Sequence, residues 1–217
     1  MKIKISPSLL DTYRVAYHGL YGRDHTAIDN YITKPWEVTE PQSKGTAYHA
    51  LIEQGPECFR DGDTYRVFEK QLGQTWEFSP QAVQPVIELQ PLLQGMTFET
   101  WGRNEIRLNG YTIRQNMRYD GLKPHELHEF KTRSRTPKYD DYWKSLQWQC
   151  YLLSLPDCER VHYHVFTLNK KNTKCEYTPL VFDRYPEMEA NVMEYLTGLL
   201  NYLETKPELL NRLKLKY

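Results

Sequence analysis

Residues 97–132 read TFETWGRNEIRLNGYTIRQNMRYDGLKPHELHEFKT, and this stretch decides the fold. Asn109-Gly110 at its centre is the residue pair of a two-residue β-hairpin turn, because both positions tolerate positive φ. The spacing predicts a strand over 97–108 and a return strand over 111–119 that Asp120-Gly121 ends. A further strand follows over 127–132. Downstream, residues 141–155 (DYWKSLQWQCYLLSL) predict one aromatic-rich helix, and 161–168 and 175–182 two more strands. Residues 187–205 predict a closing helix with Met188, Val192, Leu196, Leu199, Leu200 and Leu203 on one stripe. Upstream, SPSLLDTY at 6–13 opens a helix, with Ser6 or Ser8 as cap and Pro7 in the first turn. Residues 22–44 lack a period and predict a loop, whereas SKGTAYHALIE at 43–53 predicts a helix. Residues 64–70 predict a strand, and 79–95 a short helical region broken by Pro85 and Pro91. This order predicts an α/β fold with a mixed central β-sheet flanked by helices.

Composition narrows the class. The chain has 217 residues, 40% of them hydrophobic and 26% charged, which excludes wholesale disorder. No apolar run is long enough for a membrane span, and Met1-Lys2-Ile3-Lys4-Ile5 lacks the apolar core of a signal peptide. A cytoplasmic, non-membrane protein is the expectation. Lys+Arg and Asp+Glu are both 28, so any affinity for nucleic acid must come from a local groove. Lys131, Arg133, Arg135 and Lys138 form such a local cluster with no acid among them. Cys58, Cys150, Cys158 and Cys175 include no close pair, so neither zinc nor an iron–sulfur cluster is expected on cysteine.

Chemistry concentrates after the hairpin. Side chains alternate along a strand, so Glu129 and Lys131 share one face, opposite His128, Phe130 and Thr132. If the strands bearing Asp120 and Glu129 pair, the two carboxylates converge into an oxygen-rich site suited to Mg²⁺, with Mn²⁺ as a substitute. Lys131 then lies close enough to meet attacking water or developing negative charge. Glu-x-Lys by itself carries little: Glu204-Thr205-Lys206 repeats it with no partner acid. His162 and His164 share a strand face without an evident third ligand and read as structural, and His125 and His128 as peripheral.

Asp120 followed by Glu129-Phe130-Lys131 resembles the D…(D/E)-x-K core of the PD-(D/E)xK nuclease superfamily. Gly45-Thr46-Ala47-Tyr48-His49-Ala50-Leu51-Ile52-Glu53 is similar to the GxxxHxxxE helix of RecB-like nucleases. Gln147-Trp148-Gln149-Cys150-Tyr151 is similar to their QxxxY helix, and Ser6-Pro7-Ser8-Leu9-Leu10 to their N-terminal helix start. These motifs cover residues 6–155, and the nearest resemblance is to phage-type exonucleases of the RecE and lambda exonuclease kind. Tyr119 stands where the superfamily name has proline. The sequence carries no Gly-x-x-x-x-Gly-Lys-Ser/Thr loop, so a motor or annealing partner would be a separate chain.

The resemblance implies a restriction-endonuclease-like core in one nuclease domain over 1–217: a helical part to about 60, a catalytic core over about 61–170 and a closing part beyond. It implies Asp120, Glu129, the Phe130 carbonyl and His49 as metal ligands, with Lys131 assisting water and Glu53 supporting His49. Gln147 and Tyr151 would meet the DNA backbone or the active-site carboxylate, Arg133, Arg135 and Lys138 the phosphates, and Glu105 would be an extra acid. The implied activity is Mg²⁺-dependent exonucleolysis from duplex ends, 5′ to 3′, in phage-type recombination or DNA processing, by a homo-oligomeric ring beside a single-strand annealing protein. Leu209, Leu210, Leu213 and Leu215 are the expected oligomer contact. A RecB-like nuclease for single-stranded or flap DNA is one alternative. A silent nuclease-fold binding protein is another.

Overall fold

The computed structural model describes residues 1–215. Strand β1 (Lys2–Lys4) leads into α1 (Pro7–Tyr17), which Ser6 caps by accepting a hydrogen bond from Leu9 N at 3.1 Å. Helices α2 (Thr26–Thr33) and α3 (Glu40–Gln54) follow, so the loop expected over 22–44 is in large part helical. The reason is local: Gln42 Oε1 accepts from Thr39 N at 2.9 Å, so polar side chains start α3 before any apolar period is visible. In α2 only Ile28 is buried, too little to show a period.

A small antiparallel sheet comes next, from β2 (Arg60–Asp61), β3 (Thr64–Glu69) and β4 (Gln74–Phe78). Helix α4 (Pro80–Leu93) then runs unbroken through Pro85 and Pro91, against the expectation of a break at each. Each proline removes one helical hydrogen bond, but the helix buries Ala82, Val83, Val86, Leu89 and Leu93 on one face. Burial of four such branched side chains, at about 1.5–3 kcal/mol each, outweighs that cost.

The hairpin is as expected, with β5 (Thr97–Leu108) and β6 (Tyr111–Lys123) in register from Leu108↔Tyr111 to Thr97↔Leu122. However, β6 continues to Lys123 and does not end at Asp120-Gly121. Strand β7 (Glu126–Arg133) returns beside it. The single helix expected over 141–155 is two, α5 (Tyr139–Trp143) and α6 (Leu146–Ser154). Ser145 divides them, because its hydroxyl caps α6 by accepting from Gln147 N. Strands β8 (Arg160–Leu168) and β9 (Cys175–Asp183), then α7 (Met188–Glu204) and α8 (Pro207–Leu213), complete the described chain. Leu209 and Leu210 on α8 are buried in the chain's own core, and Leu213 packs against it. Leu215 N donates to Lys2 O beside β1, so this segment packs against the chain's own fold, with Leu213 and Leu215 left part-exposed.

The six-stranded sheet has the order β1-β6-β7-β8-β9, with β5 on the other edge of β6. Pairings β1–β6 and β7–β8 are parallel and the rest antiparallel, so the fold is α/β with a mixed central sheet flanked by helices. On one face Leu127, Val161, Tyr163 and Val165 join α1, α6 and α7 in a core that includes Leu10, Trp148 and Leu199. On the other face Phe130, Phe166 and Leu168 meet α3, α4 and the small sheet through Tyr48, Phe78 and Val83.

Candidate functional site

One edge of β6 is shared by two strands. β1 covers residues 112–114 and β7 covers 121–123, leaving 115–120 unpaired on that side. Continued pairing would set Asp120 opposite Glu129, but the two strands splay there. Asp120 Oδ2 takes the place of the lost strand carbonyl and accepts from Phe130 N at 2.9 Å. This one contact fixes the Asp120 carboxylate against the strand that carries Glu129 and Lys131.

Glu129 is almost wholly buried, at 1% exposure. Its Oε2 accepts from Lys131 Nζ at 2.6 Å, and Lys131 Nζ lies 3.8 Å from Asp120 Oδ2. Its other oxygen, Oε1, is buried with no hydrogen-bond partner among the described residues, which is costly for a carboxylate. Asp120 Oδ1 takes no part in the contacts to Phe130 or Lys131. Two carboxylates with spare oxygens at one splayed edge fit a hard divalent cation. Burial pushes the Glu129 carboxyl up to about 7, with Asp120 adding to the effect and Lys131 opposing it. For Lys131, burial favours the neutral amine, but Glu129 and Asp120 outweigh it and hold its pKa well above the ordinary value.

Helix α3 delivers the second group. Gly45 is required where α3 crosses β7, since a Cβ there would lie 2.7 Å from Thr132 Oγ1. That close approach sets the half-buried His49 ring edge-on to Phe130, with centroids 6.2 Å apart. Burial lowers the pKa of His49, and Asp120 opposes this. Glu53, one turn on, is raised to about 7 by burial and by the nearby charges of Glu99 and Asp120.

Glu99 escaped the sequence reading. It stands opposite Asp120 in the β5–β6 register, at φ 55, and the ladder lacks that pair. A left-handed glutamate in a strand is strained and calls for a reason. Here it turns the carboxylate into an ion pair with Arg118 Nε at 2.7 Å, among Glu53 and Asp120. The only signal in the sequence was its register with Asp120. Glu105, the acid the sequence favoured, lies six residues along β5 and pairs with Arg114 at 3.1 Å, away from Asp120.

The α6 pair comes together as its spacing implied: Gln147 Nε2 donates to Tyr151 Oη at 2.7 Å. Tyr151 is buried, and burial and the charge of Glu129 both raise its pKa. Arg133 is exposed and donates to Tyr142 Oη at 3.0 Å, while Arg135 and Lys138 are exposed and make no ion pair among the described residues. Lys44, which the sequence reading did not single out, joins Arg133 in a cleft of about 350 Å³ bordered by Trp76 and Thr132.

Behind Phe130, three imidazoles stack. His128 lies 4.8 Å from His162 and 5.3 Å from His164, centroid to centroid. His128, expected to be peripheral, is therefore interior, at 1% exposure. Burial lowers His128 to about 4 and His164 to about 3.

These shifts predict the pH profile of the metal-free protein. Both imidazoles are held below the ordinary value of 6.5, so they stabilise the fold above it and withdraw that support as pH falls through about 4 and about 3. Glu53 and Glu129 lie above their ordinary 4.5, so they favour the fold when protonated and add support as pH falls from about 7 to 4.5. The two effects offset between 6.5 and 4.5, and stability is expected to be level there and to fall steeply below. Glu129→Gln removes one opposing group, so its decline begins near 6.5. Urea midpoints across pH in EDTA check this, and an unchanged profile in the variant would contradict it.

No protein-family model matches the chain. No curated protein matches it either. Among solved structures, that of SSO0001 is similar in fold, with 12% identity and a TM-score of 0.50, over 93% of this chain and 77% of that one.

Proposed function

We propose that the chain is a divalent-metal-dependent deoxyribonuclease with a PD-(D/E)xK-type centre, acting as an exonuclease on duplex ends. One observation carries the reading: Asp120, Glu129 and Lys131 converge within 3.8 Å at a splayed strand edge, with a buried Glu129 oxygen left unpartnered. The motif resemblance supplies the reaction class. Asp120, Glu129, His49 and the Phe130 carbonyl would hold the ion. Bound there, Mg²⁺ would lower the pKa of water and act as a Lewis acid at the phosphodiester.

The chain's own groups do the rest. Glu129 and Asp120 keep Lys131 protonated, so its ammonium can orient the attacking water and donate to the oxygen on which charge grows. The Tyr163 ring lies beneath that ammonium, 5.8 Å from centroid to Nζ, and offers it a cation–π contact. Glu53 and Glu99 surround the Asp120 side of the site and hold Arg118 there. Lys44, Arg133, Arg135 and Lys138 lie near the C-terminal end of β7 and offer cations to the DNA backbone.

The end-dependent part has its own test. A linear duplex with a labelled 5′-phosphorylated strand and a closed circular duplex are incubated with the protein in Mg²⁺. Degradation of the linear DNA alone, with label released first as mononucleotide, supports a 5′-to-3′ exonuclease. Cutting of the circle rejects the exonuclease reading while leaving the chemistry in place.

A further inference from the structure

The imidazole stack behind the catalytic strand ends in a second cluster of ligand atoms. Glu126 and His128 lie on β7 and His162 on β8, where the parallel register sets His128 directly beside His162. The Glu126 carboxylate faces both rings, with Oε2 3.6 Å from His128 Nε2 and Oε1 3.4 Å from His162 Nε2. One ligand atom from each residue can be chosen so that all three lie within 4.8 Å of one another. Both imidazole Nε2 atoms are buried, and neither has a hydrogen-bond partner among the described residues.

The spacing separates two explanations. Hydrogen bonds from imidazole to carboxylate belong near 2.7–2.9 Å, and these gaps are too long. A tetrahedral ion about 2.0–2.1 Å from each ligand sets neighbouring ligand atoms about 3.3–3.4 Å apart. The observed 3.4 and 3.6 Å run to the two different Glu126 oxygens, so a carboxylate using both oxygens meets each ring near that spacing, and one atom from each residue gives a set within 4.8 Å.

The surroundings orient His128 as a ligand. His128 Nδ1 is 2.9 Å from His164 Nε2, and His164 Nδ1 is 2.8 Å from Tyr177 Oη. If protons run from His128 towards Tyr177, His128 Nε2 is left with a bare lone pair aimed at Glu126. If they run the other way, Nε2 carries a buried proton whose facing acceptor, Glu126 Oε2, is 3.6 Å away, longer than a good hydrogen bond. A bound cation satisfies the first arrangement, whereas the second leaves that long contact. Relay of a ligand imidazole's second nitrogen to a fixed polar group is the usual support of a metal-bound histidine. Side chains of Glu126 and His162 keep 37% and 22% exposure, which leaves the cluster a path from solvent.

We propose that Glu126, His128 and His162 form a transition-metal site, with Zn²⁺ as its favoured ion. A pair of imidazole nitrogens favours Zn²⁺ over Mg²⁺, whereas the site at Asp120 and Glu129 is dominated by oxygen ligands with His49 its one nitrogen, so the two sites favour different ions. His128 immediately precedes Glu129 and points to the opposite face of β7. The ion thereby ties β7 to β8 behind the carboxylates and holds the strand that presents them. The site stands whether or not the chain cleaves DNA.

The test uses the full chain freed of metal by chelation, then titrated with Zn²⁺ by calorimetry and with Co²⁺ by visible absorption. One equivalent of Zn²⁺ is expected, with intense tetrahedral Co²⁺ bands and a higher melting temperature. Glu126→Gln and His162→Gln should each weaken Zn²⁺ binding by about 100-fold or more, at least the loss seen when a supporting residue is removed. Asp120→Asn should bind Zn²⁺ as the parent does. Glu126 is part-exposed, so Glu126→Gln keeps the fold and decides the matter if His162→Gln does not fold. Absence of Zn²⁺ binding, binding unchanged in Glu126→Gln, or binding lost in Asp120→Asn would each overturn the proposal.

Discussion

Lys131→Ala is expected to slow DNA cleavage by about 10²–10⁴-fold, the range for removing a positioned proton donor or charge stabiliser. The ammonium sits 2.6 Å from Glu129 and 3.8 Å from Asp120, so truncation removes the cation that faces both carboxylates. A second effect adds to the first. Glu129 has 1% exposure, and without Lys131 burial drives its carboxyl further towards the neutral form. A neutral carboxyl is a poorer ligand, so more Mg²⁺ is needed to saturate the variant. The fold is retained, because Glu129 can take up a proton and does not leave a bare buried charge. Single-turnover cleavage at saturating Mg²⁺ reads the chemical loss, and DNA affinity in Ca²⁺ reads whether binding persists. Loss of cleavage with affinity intact is the expected outcome. Equal loss of both would make Lys131 a DNA anchor and not a participant in the chemistry.

The largest effect on stability is expected from Trp148→Ala, at about 3–5 kcal/mol. Trp148 is fully buried on α6, with ring centroids 5.4 Å from Phe182 and 5.5 Å from Trp143. Its Nε1 donates to Tyr142 O at 3.1 Å and Trp143 O at 3.2 Å, holding the end of α5 against α6. Truncation empties a ring-sized space and removes the donor for two carbonyls. Against a total stability of about 5–15 kcal/mol this is a large fraction. Trp36, 75% exposed, is the control: Trp36→Ala should shift stability by no more than about 0.5 kcal/mol. Urea denaturation of both variants checks the contrast. α6 also carries Gln147 and Tyr151, so the Trp148 variant should lose their placement before it unfolds.

What the sequence shows clearly is periodic or motif-bound. The Asn109-Gly110 turn fixes the hairpin because few residue pairs accept its backbone, and both flanking strands follow. The α7 stripe is legible for the same kind of reason, since one face does all the burying. Elements held by few apolar residues were not legible. α2 buries only Ile28, and β1 is three residues long. The unbroken α4 shows tertiary burial overriding proline, which local propensity cannot weigh.

The site divides similarly. Asp120, Glu129, Lys131 and His49 were legible because strand alternation and motif spacing point to them. Glu99 was not, because its place depends on register across a hairpin and on a left-handed backbone at φ 55. Glu105 was a candidate extra acid through the resemblance, and Arg114 opposite it accounts for its charge. The Glu126–His128–His162 cluster was missed because β7 and β8 are joined through α5 and α6. Only the parallel register brings His128 beside His162.

Asp120, Glu129 and Lys131 are proposed to hydrolyse DNA with a divalent ion. Release of acid-soluble nucleotides from a linear duplex tests it most directly, with the parent and Asp120→Asn side by side in Mg²⁺, in Mn²⁺ and in EDTA. The expected result is release by the parent with either metal, none in EDTA, and a near-complete loss in Asp120→Asn. Cleavage that persists in EDTA or in Asp120→Asn, or no cleavage by the parent with any metal, would contradict it.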